Sequence, residues 1–404
     1  MSEDEIISGI FNDSFHPITD GVAMVTKNYA YWLNRIAGPS CVVTTDMPSH
    51  YDAEDFPVYR YISVPLPSRP PYRVGVSFVG EVVEKRLRGR SLKERLSTNL
   101  FSMPFHILHA HCPFSSGDVA LRIARTKHVP LVATFHTKYR NDFEATTKSR
   151  LLVDVALARV VSFYKSADYV WVPSADTIDV MREYGYNGRV DVMPNGTDLI
   201  VSDAELPVLR AEGEKALGVP PGTPALLYIG QHIKEKNLDN LVESLGVARR
   251  LGGKFRMIFI GDGHYRKALE ARVAELGISD VVMFKGVVRD REYMKRAYAR
   301  ADLLFFPSLY DTSSLIVKEA AGMRLASLLV KGSTTSEGVT DGKNGFLAEN
   351  DPEDLARRLI AALADPDGIR RAGIGAYSSL YRSWENVITE VAERYRAIIR
   401  DWSY

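Results

Sequence analysis

Short runs of apolar and β-branched residues alternate with stretches of helical periodicity along almost the entire chain. Apolar runs of this length, joined by helical stretches, are typical of strands in parallel sheets that helices cover on both faces. The pattern therefore predicts an α/β protein with two doubly wound domains. The predicted strands form two sets, 41–45, 106–110, 131–135, 169–172 and 190–193 in the first, and 225–229, 257–260, 281–284, 303–306 and 328–330 in the second.

A segment rich in proline and glycine separates the two sets. Proline cannot donate to a strand ladder and restricts the residue before it, so this segment predicts a linker with a hinge at about residues 200–223. The domains are then expected at 1–200 and 201–383. Residues 384–404 show apolar positions at helical spacing and predict an amphipathic helix, whose domain the spacing alone does not identify.

Composition narrows the class of protein. The 404 residues include 51 Lys and Arg and 50 Asp and Glu, a formal net charge of +1, which argues against a nucleic-acid partner. Two cysteines are too few for a disulfide scaffold. The acidic start of the chain and the lack of an apolar run of membrane-spanning length lead us to expect a cytoplasmic protein.

Two loops that follow strands of the second set carry candidate binding residues. One strand ends at Gly230 and is followed by Gln231 and Lys236, and the next runs into Gly261-Asp262-Gly263. Ligands of open α/β sheets bind at the carboxyl ends of strands, so Lys236 is a candidate for anion binding. A solvated turn before a helix, or simple turn chemistry at the glycines, explains the same residues equally well at this level.

The segment from Pro307 to Gly322 carries the most specific pattern. A helix predicted to begin near Ser313 or Ser314 would direct free N–H groups at an anion. Asp311 in the loop and Glu319 in the helix could border one crevice and accept hydrogen bonds from hydroxyls of a sugar and a ribose. The alternative is an N-capping aspartate with a solvated glutamate.

These segments occur in the order seen in retaining glycosyltransferases of family four, which the chain resembles from about residue 10 to residue 400. The resemblance is carried jointly by motifs in both halves. They are Gly21-Val22-Ala23, His109-Ala110-His111, Thr134-Phe135-His136-Thr137, Asn195-Gly196, Gly230 with Lys236, Gly261-Asp262-Gly263, Phe284 with Gly286, Pro307-Ser308, Asp311 with Glu319, and Asp341 through Gly345.

The resemblance implies a GT-B fold, in which two Rossmann-like domains face each other across a cleft and the C-terminal one holds most of a nucleotide sugar. It also implies that the terminal helix crosses back to the N-terminal domain. No metal or other cofactor is expected, and Asp365-Pro366-Asp367 is interpreted as a turn. By position, the implied residues are His136 and Asp311 at the reacting sugar, His111 as an acceptor or sugar contact, and Gly21, Gly230, Gln231, Lys236, Gly263, Val287, Ser314, Leu315 and Glu319 at the nucleotide sugar.

Three residues depart from the family pattern. Gln231 stands where arginine is usual, Asp311 where glutamate is usual, and Ser314 where glycine is usual. Loss of a charged donor to a developing oxyanion lowers a rate by roughly 10²–10³-fold. Protonated His232 could supply the missing charge, which is a hypothesis for the structure to test. The departures leave open a non-catalytic, glycosyltransferase-like partner subunit.

The acceptor is the least determined feature. The motifs around Gly21, His111 and His136 look most like the subgroup that glucosylates diacylglycerol and related lipids, with a UDP-sugar as the favoured donor. Residues 69–95 hold eight basic and three acidic residues, a local charge of +5, and predict an amphipathic helix suited to an anionic membrane. A solvated helix with a core stripe is the alternative for this segment, and a soluble sugar, inositol phosphate or polysaccharide end is the alternative acceptor.

Overall fold

The computed structural model describes residues 5–48, 50–67, 70–77, 82–85 and 96–402. The chain divides into two compact units. The N-terminal unit comprises Met1–Asn195 with Trp384–Tyr404, and the C-terminal unit comprises Gly196–Ser383. Each is an α/β unit built on a sheet that is wholly or mostly parallel, so the predicted fold class is confirmed.

The sheet of the N-terminal unit has nine strands in the described part of the chain, in the order β11-β10-β9-β8-β1-β2-β3-β6-β7. All neighbours are parallel except β3–β6 and β6–β7. A separate antiparallel ribbon pairs β4 with β5. The strands are β1 (Ser8–Phe11), β2 (Ser40–Thr45), β3 (Val58–Tyr61), β4 (Ser63–Pro65), β5 (Arg73–Gly75), β6 (Val82–Lys85), β7 (Leu96–Asn99), β8 (Ile107–Ala110), β9 (Leu131–Thr134), β10 (Tyr169–Val172) and β11 (Asp191–Val192).

Helices cover this sheet, and the last one comes from the end of the chain. They are α1 (Gly21–Ile36), α2 (Ser115–Lys127), α3 (Tyr139–Thr146), α4 (Arg150–Ser166), α5 (Asp176–Glu183) and α13 (Trp384–Trp402). The predicted terminal helix is therefore present, and it packs against α1. None of the described helices is long and apolar enough to span a bilayer.

The C-terminal unit has a six-stranded parallel sheet in the order β14-β13-β12-β15-β16-β17. Its core is continuous and lies on both sides of the sheet. The strands are β12 (Ala225–Ile229), β13 (Arg256–Ile260), β14 (Val282–Gly286), β15 (Leu303–Phe305), β16 (Ser327–Val330) and β17 (Phe346–Ala348). The helices are α6 (Glu205–Leu217), α7 (Leu238–Arg250), α8 (Arg266–Glu275), α9 (Arg291–Arg300), α10 (Leu315–Gly322), α11 (Pro352–Leu363) and α12 (Pro366–Leu380).

All the predicted strands are confirmed to within two residues. Most are short apolar runs that the sheet buries, whereas β11 and β14 are half-buried. Some strands with small residues or with both polar and apolar residues were not predicted. The central strand β1 has the sequence Ser-Gly-Ile-Phe, and β3 contains the charged Arg60. Arg60 is nevertheless buried, because its guanidinium pairs with Asp52 at 2.7 Å and donates to the main-chain oxygen of Thr45 at 2.9 Å.

The predicted linker is wrong, since α6 occupies most of 200–223. Pro207 lies in the first turn of this helix, where the missing N–H has no intrahelical acceptor and costs little. Leu217 and Val219 are buried in the core of the C-terminal unit. The division between the units falls instead between Asn195 and Gly196.

The predicted basic helix lies largely outside the described residues, which omit 68–69, 78–81 and 86–95. The described parts of 69–95 include the strands β5 and β6, so a helix at 73–75 and 82–85 is wrong. β6 and β7 are antiparallel neighbours in the sheet, so residues 82–85 and 96–99 are extended.

Candidate active site

The loops that follow β12, β13 and β14 are bound to one another through their backbones. Gly230 N–H donates to the carbonyl of Ile260 at 3.0 Å, and Gly261 N–H donates to that of Gly286 at 2.8 Å. Gly261 has φ +129°, and a Cβ there would lie 1.9 Å from the Gly230 oxygen. Only glycine fits this contact, so the three strand ends lie side by side, with half-buried glycines and the exposed Val287 next to them.

Gly263 packs against the backbone of the loop that follows β12. A Cβ at this position would lie 2.3 Å from the carbonyl oxygen of His232, which accepts a hydrogen bond from the N–H of Tyr265 at 3.0 Å. Turn packing therefore accounts for this glycine. Its contact with a nucleotide sugar stays a prediction.

Lys236 and Asp311 form an ion pair at the carboxyl end of the sheet. Lys236 ends a 3-10 turn, Lys234–Lys236, after β12, and it is 8% exposed. Its ammonium group contacts Asp311 Oδ1, and Ser308 Oγ donates to Asp311 Oδ2 at 2.6 Å. The ammonium nitrogen also lies 5.4 Å from the ring centroid of Tyr310. These contacts exclude the solvated turn as the explanation of Lys236.

The loop that carries Asp311 is anchored to the loop after β16. Thr334 Oγ1 donates to the main-chain oxygen of Asp311, and Thr335 Oγ1 donates to that of Ser308 at 3.2 Å. Asp311 is therefore fixed on both its side chain and its backbone, and it does not cap a helix.

Helix α10 begins beside this loop, as the sequence predicted. Ser314 is its N-cap residue and is buried, and the Ser314 side chain makes no capping hydrogen bond to the first turn. No acidic residue lies in that turn. The free N–H groups from Leu315 onward, at the positive end of the helix dipole, can therefore bind an anion.

A small polar cavity adjoins the start of α10. Lys318 lies in its wall, and burial lowers the pKa of this ammonium group. The other residues that line it are Ser313, Ser314, Val317, Thr334, Thr335, Glu337 and Leu380.

Glu319 is held by two donors and is not a solvated side chain. Its Oε1 accepts from Arg291 at 2.9 Å, and its Oε2 accepts from the Tyr298 hydroxyl at 2.6 Å. Burial and the Glu319 charge raise the pKa of the Tyr298 hydroxyl, which remains a donor. Arg291 also pairs with Asp198. A carboxylate oxygen has two lone pairs, so each oxygen keeps acceptor capacity for a hydroxyl.

His232 does not supply the missing positive charge, so that hypothesis is wrong. The ring is fully buried, and its neighbours are the rings of Tyr228, Phe259 and Phe284. Burial lowers its pKa to about 4, so it is neutral at pH 7. Gln231, the residue before it, is exposed.

Three histidines of the N-terminal unit stack at the carboxyl ends of β8 and β9. The His109 and His111 ring centroids are 4.2 Å apart, and those of His111 and His136 are 5.1 Å apart. Nδ1 of His111 and Nε2 of His136 share a hydrogen bond of 2.8 Å. His111 and His136 therefore contact each other directly.

All three rings are neutral at pH 7. Burial lowers the pKa of His136 to about 3, and it lowers the pKa values of His109 and His111 well below the usual value. One nitrogen of the His111–His136 bond thus carries the proton and the other accepts it. Nε2 of His111 is buried and has no hydrogen-bond partner among the described residues.

His109 links this stack to the terminal helix. Its Nδ1 bonds to the Tyr395 hydroxyl of α13 at 2.5 Å, and its Nε2 bonds to Thr134 Oγ1 at 2.6 Å. Sequence reasoning assigned no role to His109 or Tyr395. The His-x-His spacing on one strand was the available signal, because residues two apart on a strand share a face.

Gly21 is exposed at the first position of α1. The preceding Asp20 caps this helix by accepting from the N–H of Ala23 at 2.8 Å. Its other carboxylate oxygen accepts from the Tyr72 hydroxyl at 3.0 Å. Asp20 thereby fixes the loop that carries Gly21, a role that sequence reasoning missed.

Asp13, which sequence reasoning also missed, joins β1 to the start of α2. Its Oδ1 accepts from the Ser116 N–H at 2.9 Å, from the Ser115 hydroxyl at 2.5 Å and from the Tyr61 hydroxyl at 3.0 Å. With these donors satisfied, Asp13 holds the strand ends around the histidine stack together.

The described residues contain no group of three or more His, Cys, Asp or Glu side chains placed to hold a metal ion. Asp365, the first residue of the Asp-Pro-Asp motif, caps α12 by accepting from the N–H of Gly368 at 2.8 Å. The predicted turn is therefore wrong, and this motif is the start of a helix with Pro366 at its first position.

Both halves of the chain match sequence families. Residues 19–200 match the family "Glycosyltransferase Family 4", and residues 210–379 match the family "Glycosyl transferases group 1". Together these matches cover most of both units.

Individual proteins match across most of the chain. An alpha-monoglucosyldiacylglycerol synthase of Streptococcus pneumoniae is 25% identical over 89% of this chain and 79% of its own length. A D-inositol 3-phosphate glycosyltransferase of Nocardia farcinica is 29% identical over 74% of this chain and 68% of its own length. The structure of Anabaena HepE in complex with UDP and glucose covers 96% of this chain and 98% of its own, with a TM-score of 0.71 and 17% identity, which supports the GT-B fold. The chain belongs to the group 1 glycosyltransferases, with an N-terminal half of the family-four type.

Proposed function

We propose that this protein transfers a hexose from a nucleotide diphosphate sugar, with UDP favoured, to a hydroxyl of a membrane lipid such as diacylglycerol, with retention of configuration. The donor part of the proposal depends on the pair of buried Lys236 with Asp311, which lies beside the start of α10, where the N-cap side chain makes no capping bond. A cation and free N–H groups suit a diphosphate, and carboxylates suit sugar hydroxyls.

On this proposal, the C-terminal unit binds the donor. Lys236 and the N–H groups near Ser314 and Leu315 meet the diphosphate, and Asp311 accepts from the sugar hydroxyls. Glu319 accepts from the ribose, for which its two existing donors hold the carboxylate in one orientation. The exposed edge near Gly286 and Val287 is assigned to the base, and Gly21 of the N-terminal unit to the phosphates.

The chemistry requires little basicity from the protein. In a retaining transfer through an oxocarbenium-like state, the departing phosphate oxygen can accept the proton of the acceptor hydroxyl. A histidine with a pKa of about 3 is too weak a base to compete for that proton. We therefore assign His136 the role of orienting the sugar through hydrogen bonds. Lys236 and the start of α10 then stabilise charge on the leaving diphosphate. No metal is assigned to this step.

The lipid acceptor rests on relatives and on the resemblance of the N-terminal motifs. The Streptococcus relative is named for diacylglycerol glucosylation, and its match covers 89% of this chain. We place the protein at the cytoplasmic face of a membrane as a peripheral protein. Any contribution of 69–95 to this contact falls mostly on residues outside the described part of the chain.

A soluble acceptor is the second candidate. The Nocardia relative is named for transfer to D-inositol 3-phosphate, and its identity of 29% is higher than that of the Streptococcus relative. Its match covers less of this chain, at 74%.

The test is a transfer assay with UDP-glucose and dispersed diacylglycerol, run in parallel with inositol 3-phosphate and with EDTA in both. We expect an α-linked glucolipid, identified by the proton coupling of its anomeric centre, and no loss of rate with EDTA. If a product forms with inositol 3-phosphate but not with diacylglycerol, the acceptor is a soluble molecule and not a lipid. A β-linked product would refute retention of configuration.

A separate measurement tests the donor half. Thermal unfolding with UDP, GDP and ADP is expected to show stabilisation by UDP, about 2.7 kcal/mol at 100 times its Kd. Absence of both nucleotide binding and transfer would favour the non-catalytic partner subunit.

A further inference from the structure

The ribbon formed by β4 and β5 presents an apolar face to solvent. Val64 and Val74 are directly paired across the two strands, and Ile62 lies two residues before Val64 on the same face. These side chains are 54%, 45% and 60% exposed. We refer to Ile62, Val64 and Val74 as the ribbon face.

The opposite side of the ribbon packs against the N-terminal unit. Ser63 is buried, and a Cβ at its partner Gly75 would lie 2.2 Å from the ring of Tyr61. Strands that cover a core on one side usually place polar residues on the other. Here the outward positions are β-branched and apolar, so burial within this unit does not explain them.

Contacts at its base hold the ribbon in a defined place. The Tyr72 hydroxyl donates to Asp20, the cap of α1 next to Gly21, at 3.0 Å. The N–H of Gly75 donates to Ser115 Oγ at 3.0 Å. A two-stranded ribbon is marginal by itself, and these bonds fix it beside the loop that carries Gly21.

The charge around the ribbon face favours an anionic partner. Between Asp55 and Glu81 the sequence contains Arg60, Arg69 and Arg73 and no acidic residue, but Arg60 is buried and paired with Asp52, so it adds no charge to the ribbon face. Arg73 on β5 donates to the side chain and carbonyl of Ser63, and no carboxylate among the described residues pairs with it. An apolar surface in an acid-free, cationic stretch is complementary to a bilayer that contains anionic lipid.

We propose that the ribbon face of Ile62, Val64 and Val74 inserts into the surface of an anionic lipid bilayer and so brings the membrane to the loop that carries Gly21. The inference deepens the proposed function, on which it rests for the lipid acceptor. It assigns the membrane contact to described residues outside the catalytic and donor-binding clusters.

The test is sedimentation with vesicles of phosphatidylcholine, with and without phosphatidylglycerol. The variant Ile62→Thr/Val64→Thr/Val74→Thr keeps β-branched side chains and removes apolar surface. We expect wild-type protein to bind the anionic vesicles and the triple variant to bind them roughly tenfold or more weakly. Because the triple variant could fold poorly, Val64→Thr alone is measured too, with an expected smaller loss and an unchanged unfolding midpoint.

Helix α4 supplies the matched control. Leu151, Leu152 and Val155 are 73%, 58% and 60% exposed, so their replacement by glutamine removes a comparable apolar area from the same unit. We expect this control to keep vesicle binding. Loss of binding in the control with retention in the ribbon variants would overturn the proposal, as would failure of the wild type to bind.

Two further readouts separate the alternatives. Stabilisation by UDP should be the same in wild type and ribbon variants, because the donor cluster is untouched. Ribbon-dependent vesicle binding without transfer to diacylglycerol would support the docking surface and refute the proposed acceptor. A dimer in lipid-free solution that the triple variant dissociates would assign the face to a second copy of the chain and overturn the proposal.

Discussion

Among single residues, Lys236 has the most constrained surroundings. Its stem is buried, its ammonium group contacts the Asp311 carboxylate, and the rings of Phe306 and Tyr310 lie 5.6 and 5.4 Å away. A positive charge held in this way needs little reorganisation when an anion arrives. Lys234, two residues earlier in the same turn, is exposed.

We therefore expect Lys236→Gln to lower kcat/KM by roughly 10²–10³-fold, the range seen when one donor to a developing oxyanion is removed. Lys234→Gln, the matched control, should change it less than about threefold, since an exposed charge is screened by solvent. The measurement is steady-state transfer with varied nucleotide sugar. Equal losses in the two variants would mean that general surface charge, and not the position of Lys236, attracts the donor.

The histidine stack makes a prediction about pH. In the unfolded chain a histidine takes up a proton as the pH falls through its usual pKa near 6.5, whereas folded His136 stays neutral down to a pKa of about 3. The unfolded state therefore binds more protons in this window. The stabilisation is complete above about pH 6.5 and is lost as the pH falls toward about 3.

Urea unfolding between pH 7 and pH 5 should thus show falling stability, with a slope approaching about 1.4 kcal/mol per pH unit for each such histidine. His136→Asn should reduce this slope by about the contribution of one histidine. This holds whatever the substitution does to the free energy of unfolding at pH 7. A variant with the wild-type slope would show that His136 titrates normally in the folded protein.

Among the elements, α13 has a double role in the N-terminal unit. Its apolar face is buried, and the hydroxyl of Tyr395 on that face reaches His109. The Tyr395 ring also stacks on Trp171 of β10, at 5.8 Å between centroids. The helix therefore contributes to packing and fixes one ring of the histidine stack.

Tyr395→Phe should lower the free energy of unfolding by about 1–3 kcal/mol, because it leaves Nδ1 of buried His109 without a partner. It should also shift the ¹⁵N signals of the His109 and His111 rings, which report their tautomers. The matched control is Tyr186→Phe, a buried tyrosine whose hydroxyl bonds only weakly to the Arg189 carbonyl, at 3.3 Å. Unchanged histidine signals in Tyr395→Phe would refute the coupling of α13 to the stack.

At the scale of the whole molecule, the two units differ in how their segments are arranged along the chain. The described core of the C-terminal unit is made by residues between Leu199 and Leu380. The N-terminal unit takes α13 from the far end of the chain. The apolar residues that α13 buries are Trp384, Val387, Ile388, Val391, Ala392, Tyr395 and Ile398.

A fragment of residues 196–383 should therefore fold alone with cooperative unfolding, whereas a fragment of residues 1–195 should not. Burial of one large apolar side chain contributes about 1.5–3 kcal/mol, so loss of the six large side chains on the α13 face would remove about 9–18 kcal/mol, which is comparable to the typical 5–15 kcal/mol of a whole domain. Circular dichroism during urea unfolding checks both fragments. The control joins residues 384–402 to the end of 1–195 through a flexible linker, which should restore folding; a stable 1–195 fragment would contradict the argument.

The sequence by itself determined the fold class, ten of the strands in the two sheets and the start of α10. Each of these depends on a local pattern, as at 169–172 or 225–229, where a short apolar run has few alternatives to a buried strand. It also determined which loops carry polar and glycine residues. The predicted linker failed because local signals do not separate a proline in the first turn of a helix from one in a loop.

Only the tertiary structure decided which of these residues meet. Lys236 and Asp311 are 75 residues apart and become partners because β12 and β15 are neighbours in the sheet. His109 and Tyr395 are 286 residues apart, and His232 points into a cluster of aromatic rings whose members come from three strands. Periodicity encodes which face of an element is buried, but the partner of a buried polar group depends on how remote elements pack against one another.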